Sequence, residues 1–222
     1  MWHLRLRRLR YLRRVSGTAL HRCWQTPLPS TSSGWRDVSF LVVDGEMSSL
    51  DINTGELLSV GWVEVVDGSI DLGSAEHHLI RAEQSVGQSA TIHHLRDFDL
   101  VDADTRERVL NRFLEVAAGK ILVFHNAALD MAFLNKVSRR QFNAPILLPC
   151  VDTLLQEEAL LQRRGITIKP GDLRLQGCRD RYNLPHFHGH NALLDALATA
   201  ELLLAMSSRR SSGRPITLAQ LF

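Results

Sequence analysis

FLVVDGEMSSLD, residues 40–51, decides how the rest of the chain reads. Phe40, Leu41, Val42 and Val43 form a short apolar run of the kind that fills a buried strand, and Asp44 and Glu46 follow it two residues apart. Alternate residues of a strand share a face, so both carboxylates are expected to point to one side where the strand leaves the core. Like charges held together raise each other's pKa. A divalent cation between them removes that cost, and hard oxygen ligands suit Mg²⁺ or Mn²⁺. A DxE pair taken alone is also common among solvated turn residues, so the reading depends on what the chain brings to it.

Working outward, Leu57 to Val66 is a second apolar stretch with Gly61 inside it, and Asp67-Gly68 follows as a strong hairpin signal. A third strand is expected over 69–79, giving three antiparallel strands of a mixed sheet. Residues 80–103 are polar and irregular. A helix is expected over 104–118 and a short buried strand from Ile121 to Phe124. Another helix begins at Asn126, with Asp130, Phe133, Leu134 and Val137 at spacings of three and four. Further helices are expected over 152–164, around 172–182 and over 191–206, where Leu193, Leu197, Ala200 and Leu204 mark one face. Strands that alternate with helices after an opening hairpin predict an α/β sheet covered by helices.

Composition is that of an ordinary globular chain of 222 residues, 45% hydrophobic and 23% charged. Cys23, Cys150 and Cys178 are far apart and form no CxxC pair, so neither a disulfide framework nor a zinc site is expected, and a reducing, cytoplasmic setting fits best. No apolar run approaches the roughly 18 residues of a membrane span. The net charge of +2 hides an asymmetry: residues 1–36 hold eight arginines and no acid, while the remainder holds 18 basic and 24 acidic residues. An arm of this kind can contact phosphates or act as a targeting segment. Alternatively, Leu4, Leu6, Leu9 and Leu12 line one side of a short helix lying on the body. QTPLPSTSSG, residues 25–34, reads as a linker. The expected organisation is an arm and linker over 1–36, a main domain over 37–207 and a tail over 208–222. ITLAQLF in the tail is apolar enough to dock back.

Three more sites join the DxE pair. In HNAALDMAFL, residues 125–134, Asn126 reads as an N-cap and Asp130 stands in the first helical turn beside apolar Phe133 and Leu134. A carboxylate beside a core-facing stripe needs a partner or a metal. In HGHNALLDALATAELLLA, residues 188–205, Asp195 sits among alanines and leucines and His190 stands at the mouth of the helix; His186 and His188 read as solvated loop residues. Asp44, Glu46, Asp130, Asp195 and His190 together suit phosphoryl transfer to water. Two divalent cations roughly 3.5–4 Å apart can hold a scissile phosphate, four carboxylates offset their charge, and a histidine can take a proton from water at neutral pH.

The chain resembles the DEDDh exonucleases, the group that includes the proofreading epsilon subunits. The likeness runs from about Phe40 to Met206 and carries four motifs in the family's order: DxE at 44–46, Ile92-His93-His94-Leu95, HNAxxD at 125–130 and HxxxxD at 190–195. The resemblance implies a ribonuclease H-like α/β fold, a mixed five-stranded sheet flanked by helices. It implies two divalent cations, Mg²⁺ or Mn²⁺, on Asp44, Glu46, Asp130 and Asp195, with His190 as general base. It sets Met47, Leu50, His93 and Phe133 against the substrate. The implied activity is 3′–5′ hydrolysis of single-stranded DNA or frayed ends to nucleoside 5′-monophosphates, with a polymerase or repair protein as a partner and no membrane. Short RNA is an alternative substrate, since Glu46-Met47 is similar to oligoribonucleases; a noncatalytic nucleic-acid-binding or polymerase-associated module is another reading. Ser49 and His94 depart from the family's glycines, and Leu129 from its phenylalanine; no metal ligand is lost.

Trp62, Phe98, Phe113 and Phe124 read as core rather than stacking platforms, and Cys178 as a small buried hydrophobe. Arg179 and Arg181 are candidates for phosphate contact or for solvated helix positions.

Overall fold

The computed structural model describes residues 2–83 and 95–222. Five strands form one sheet in the order β3-β2-β1-β4-β5: β1 Phe40–Met47, β2 Leu57–Val66, β3 Ser69–Leu79, β4 Ile121–Phe124 and β5 Cys150–Asp152. β1 pairs antiparallel with β2 and β2 with β3, as the Asp67-Gly68 turn requires, and Asp67 and Gly68 both take the positive φ of such a turn. β4 lies parallel to β1, and β5 parallel to β4. The sheet is therefore the mixed α/β sheet expected. The fifth strand of the expected sheet, β5, has no position legible in the sequence, because three residues offer too little periodicity to register.

The two faces follow from strand alternation. Leu41, Val43, Val60, Trp62, Leu122 and Phe124 fill one core with α4 (Arg106–Ala117) and α5 (Ala127–Phe142). Phe40, Val42, Val63, Val65 and Val123 fill the other with α8 (Ala192–Arg210) and residues of the tail. Asp44 and Glu46 continue the parity of Phe40 and Val42, so the geometry of β1 aims them at the α8 face. α6 (Thr153–Arg163) and α7 (Leu175–Asp180) pack around α8.

Three short helices precede the sheet: α1 Trp2–Leu9, α2 Leu12–Val15 and α3 Ala19–Gln25. The expected leucine stripe is not what holds them down. Leu4 packs on the core, but Leu6, Leu9 and Leu12 are exposed, and Arg8 is buried instead. The tail does dock: the Leu218 amide donates to Ser33 O and Ala219 to Thr31 O, while Trp35 donates to Ile216 O. Trp62, Phe113 and Phe124 are core, as is Cys178, whereas Phe98 is 83% exposed. Phe98 sits in a short 3-10 turn, Asp97–Leu100, where only Leu100 faces inward.

Candidate active site

β1 outruns its parallel neighbour. β4 pairs only with Phe40 to Val42, so Val43 to Met47 project past its end. Clefts of α/β sheets form where parallel strands end at their carboxyl ends, and the acids stand there. A register shift between Glu46 and Met47 bends the strand at the same place. Gly45, between the two acids, is a close-approach position: a Cβ there would lie 3.0 Å from Leu57 Cδ1 and 3.3 Å from Asp130 Oδ1.

Gly61 brings in the third acid. It pairs with Asp44 in the β1–β2 ladder, and a Cβ on it would stand 2.3 Å from the Leu193 amide nitrogen and 2.5 Å from Leu193 Cα. Only glycine lets the first turn of α8 sit directly on the sheet. Asp195, one turn in, thereby meets the β1 acids: carboxylate oxygens of Asp44, Glu46 and Asp195 all lie within 4.8 Å of one another. Asp195 is itself fixed by the amides of His190 (2.7 Å) and Asn191 (3.2 Å), while the Asn191 side chain caps the helix through Leu193 and Leu194. His190 takes a φ of +69°, which turns the chain into the helix and leaves the residue exposed at the cleft.

Asp130 is buried and approaches from α5, against the Gly45 amide. Its helix starts unusually. Asn126 occupies the expected N-cap position but is left-handed and makes no side-chain cap. The capping oxygens come from Asp152 at the end of β5, which accepts from Asn126 and Ala127 on α5 and from Leu154 and Leu155 on α6. One carboxylate thus starts two helices. An Asp at the end of the apolar run before the helix, Val151-Asp152-Thr153, was the available signal. Next to it, His125 is held between Thr153 Oγ1 and Leu173 O, both at 2.9 Å. Burial lowers the pKa of the ring, and Nε2–H donates to the Leu173 carbonyl, which can only accept.

The four carboxylates repel ionisation. Burial, then the charges of Asp130, Asp195 and Glu46, hold Asp44 well above the usual carboxylate range. Burial, with Asp195 beside it, pushes Glu46 up to about 7. Burial pushes Asp130 up to about 8, against the pull of neighbouring amides. Asp195 rises through burial too, opposed by the His190 and Asn191 amides. Among the described residues, no lysine or arginine is one of the groups acting on any of the four. Glu46 Oε1 is buried without a hydrogen-bond partner. Such an orphaned oxygen is costly, and a divalent cation is the group that would satisfy it and offset the cluster's charge. The residues fit a metal.

The cluster opens into a cleft of about 1330 Å³. Met47, Leu50 and Leu129 provide apolar wall, with Leu50 79% exposed, and Lys169 and Arg174 line the same cleft. Phe133 lies elsewhere: it is 1% exposed, in the core beneath Gly55. His93, with the rest of the segment Ile92-His93-His94, falls outside the described residues. Arg179 is buried and Arg181 half-buried, and both guanidinium groups are engaged within the protein. Arg179 donates to Ala198 O and Pro185 O, with Glu201 at 2.7 Å, and Arg181 pairs with Glu157 at 2.7 Å. The Arg179 contacts lock α7 and the loop at Pro185 onto α8, and the Arg181 pair ties the end of α7 to α6.

Comparison with known proteins gives one consistent result. A family model described as Exonuclease, the RNase T model, matches residues 41–203. The PolC-type DNA polymerase III of Thermotoga petrophila is 29% identical over 176 residues, which are 79% of this chain and 12% of the polymerase. That of Staphylococcus aureus is 28% identical over 171 residues, 77% of this chain and 11% of the polymerase. Among solved structures, E. coli Exonuclease I in complex with a dA16 oligonucleotide superposes with a TM-score of 0.66 at 14% identity, over 79% of this chain and 42% of that one. Cell-death related nuclease 4 superposes with a TM-score of 0.65 at 14% identity, over 77% and 64%. The chain therefore spans about an eighth of the length of these polymerases and less than half of Exonuclease I.

Proposed function

The chain belongs to the RNase T exonuclease family, and from that premise we propose that it is a metal-dependent 3′–5′ exonuclease acting on single-stranded DNA or frayed duplex ends and releasing nucleoside 5′-monophosphates. The observation that carries the proposal is the convergence of Asp44, Glu46 and Asp195 within 4.8 Å, with Asp130 behind them and a buried Glu46 oxygen unpartnered. These four would hold two divalent cations, Mg²⁺ or Mn²⁺, which when bound supply Lewis-acid polarisation of the phosphodiester and neutralise charge developing in the transition state.

The remaining work falls to the protein. His190, exposed at the cleft and tied through its amide to Asp195, is placed to accept the proton of the attacking water at its ring. Met47, Leu50 and Leu129 offer apolar contact to the terminal base, and Lys169 and Arg174 offer cations to phosphates further up the strand. His125 fixes the segment carrying these cations, through Leu173 O, to the end of β4. Asp44, Glu46, Asp130, Asp195 and His190 are the catalytic set; Phe133, buried in the core, is left out of the substrate wall, and His93 keeps its proposed place against the substrate.

The relatives at 28–29% identity are DNA polymerases, which supports DNA as substrate and a polymerase or repair protein as partner. Three unpaired cysteines support a reducing, cytoplasmic setting, and among the described residues no helix is long and apolar enough to cross a membrane. The test compares 5′-labelled single-stranded DNA, duplex DNA and short RNA with Mn²⁺, Mg²⁺ or EDTA. A descending ladder from the 3′ end of single-stranded DNA, abolished by EDTA, is expected. Internal nicking of a circular strand, or full activity in EDTA, refutes the proposal.

A further inference from the structure

We propose that the N-terminal arm is a second nucleic-acid contact, an anchor for the single strand set at the opposite end of the sheet from the catalytic cleft. That the polyanion is nucleic acid rests on the exonuclease reading; that the arm binds a polyanion does not.

The arm is fixed to the body by one buried arginine. Arg8 donates through Nε and Nη2 to Leu147 O at 3.1 and 2.9 Å and through Nη1 to Trp24 O at 3.2 Å, and its guanidinium lies 5.4 Å from the centre of the Trp24 ring. Trp24 Nε1 in turn donates to Ile146 O. These contacts locate the arm. Ile146 and Leu147 precede β5, and a Cβ on Gly119, in the turn before β4, would meet Thr26 Cγ2 at 2.9 Å. The arm therefore rests at the edge where the parallel strands begin, whereas the acids leave β1 at its carboxyl end. An arm so placed cannot line the cleft.

Its outer surface is cationic without compensation. Arg5, Arg7, Arg10, Arg13 and Arg14 are all exposed, and none forms an ion pair among the described residues. No acid occurs in the first 36 residues to neutralise them. A groove of about 310 Å³ runs beside Arg5 and Arg8, bounded by Leu12, Trp24 and Pro27. The arm leaves Leu6, Leu9 and Leu12 exposed, but a turn at Arg10–Tyr11 divides them between α1 and α2, and Leu4, Val15 and Leu20 are already committed to the core, so five exposed arginines outweigh three separated leucines. A phosphate backbone needs only the charge.

The test changes Arg5, Arg7, Arg10, Arg13 and Arg14 together to Gln in the full chain and retains Arg8, which holds the arm in place. Affinity for a long oligothymidine and hydrolysis of a thymidine trinucleotide in Mn²⁺ are compared with the parent protein across salt. The expected result is at least about tenfold weaker binding of the long strand at low salt and a salt slope shallower by about 2–3, since each phosphate neutralised on a single strand contributes about 0.7. Trinucleotide hydrolysis and the thermal midpoint stay unchanged. An unchanged long-strand affinity and slope overturn the proposal. Equal losses on both substrates also overturn it, by placing the arm at the cleft. Binding of the parent, but not the variant, to phosphatidylserine vesicles with strand affinity unaltered overturns it in favour of a membrane surface. Failure of both proteins to hydrolyse the trinucleotide, with arm-dependent strand binding intact, would instead remove the exonuclease reading and leave the anchor standing.

Discussion

Glu46→Gln should make the metal-free protein more stable and the metal-loaded one less so. The carboxyl, ordinarily at 4.5, is pushed to about 7 by burial and by Asp195. At about 1.36 kcal/mol per pH unit, ionising it in the fold costs at most about 3 kcal/mol. The sign follows from linkage: below 4.5 the group is protonated in folded and unfolded chains alike and nothing is lost, and stability falls as pH rises through 7. In EDTA at pH 8.5 the Gln variant should therefore unfold later than the parent, by up to about 10 °C for a chain of this size, and the difference should vanish by pH 4. Saturating Mn²⁺ should reverse the order, because binding to the native state stabilises it and the variant offers one carboxylate fewer. Calorimetry or denaturant titration across pH, with and without Mn²⁺, reads each arm. A Gln variant less stable than the parent in EDTA at pH 8.5, or one whose advantage is the same at pH 4, refutes the reasoning.

Asp44→Asn should abolish hydrolysis in single-turnover assays while strand binding by anisotropy changes little, since its charge acts on charge developing in the transition state. His190→Ala should keep Mn²⁺ and strand affinity and lose about 10²–10⁴-fold in the chemical step across pH; a near-normal rate at saturating Mn²⁺ removes it from proton transfer. Gly61→Val should push the first turn of α8 off the sheet, lowering Mn²⁺ affinity by calorimetry at least about tenfold and stability by about 1–3 kcal/mol; retained metal binding would show that Asp195 is placed by something else. Asp152→Ala, which removes caps from two helix starts, should cost about 2 kcal/mol or more in urea unfolding without altering the ligand set.

Much of this site was legible because its signals are local. Asp44 and Glu46 are coupled by strand parity alone, and Asp130 and Asp195 declare themselves as acids in apolar helical surroundings. What escaped depends on contacts between distant segments. Gly61 was visible as a glycine inside a strand, but its partner is the Leu193 backbone, 132 residues on. Asp152 reads only as the first residue of the helix expected over 152–164, and that it caps both α5 and α6 depends on β5 lying beside β4. Arg8 looks like any other arginine of the arm until the carbonyl of Leu147 is brought to it. Arg179 reads as surface until the α7–α8 packing buries it. Phe98 failed the other way, since apolarity alone does not say which side of a short turn meets the core.

The clasp between residues 31–35 and 216–219 has a further bearing. The chain enters and leaves the catalytic unit side by side, zipped together by Trp35, Leu218 and Ala219. A unit with adjoining entry and exit can be spliced into the surface loop of a larger host without prying that host apart. The matching segments of the PolC-type polymerases make up about an eighth of those chains. In this geometry the span between the clasped segments is a unit that a larger chain can carry without redesign of its core.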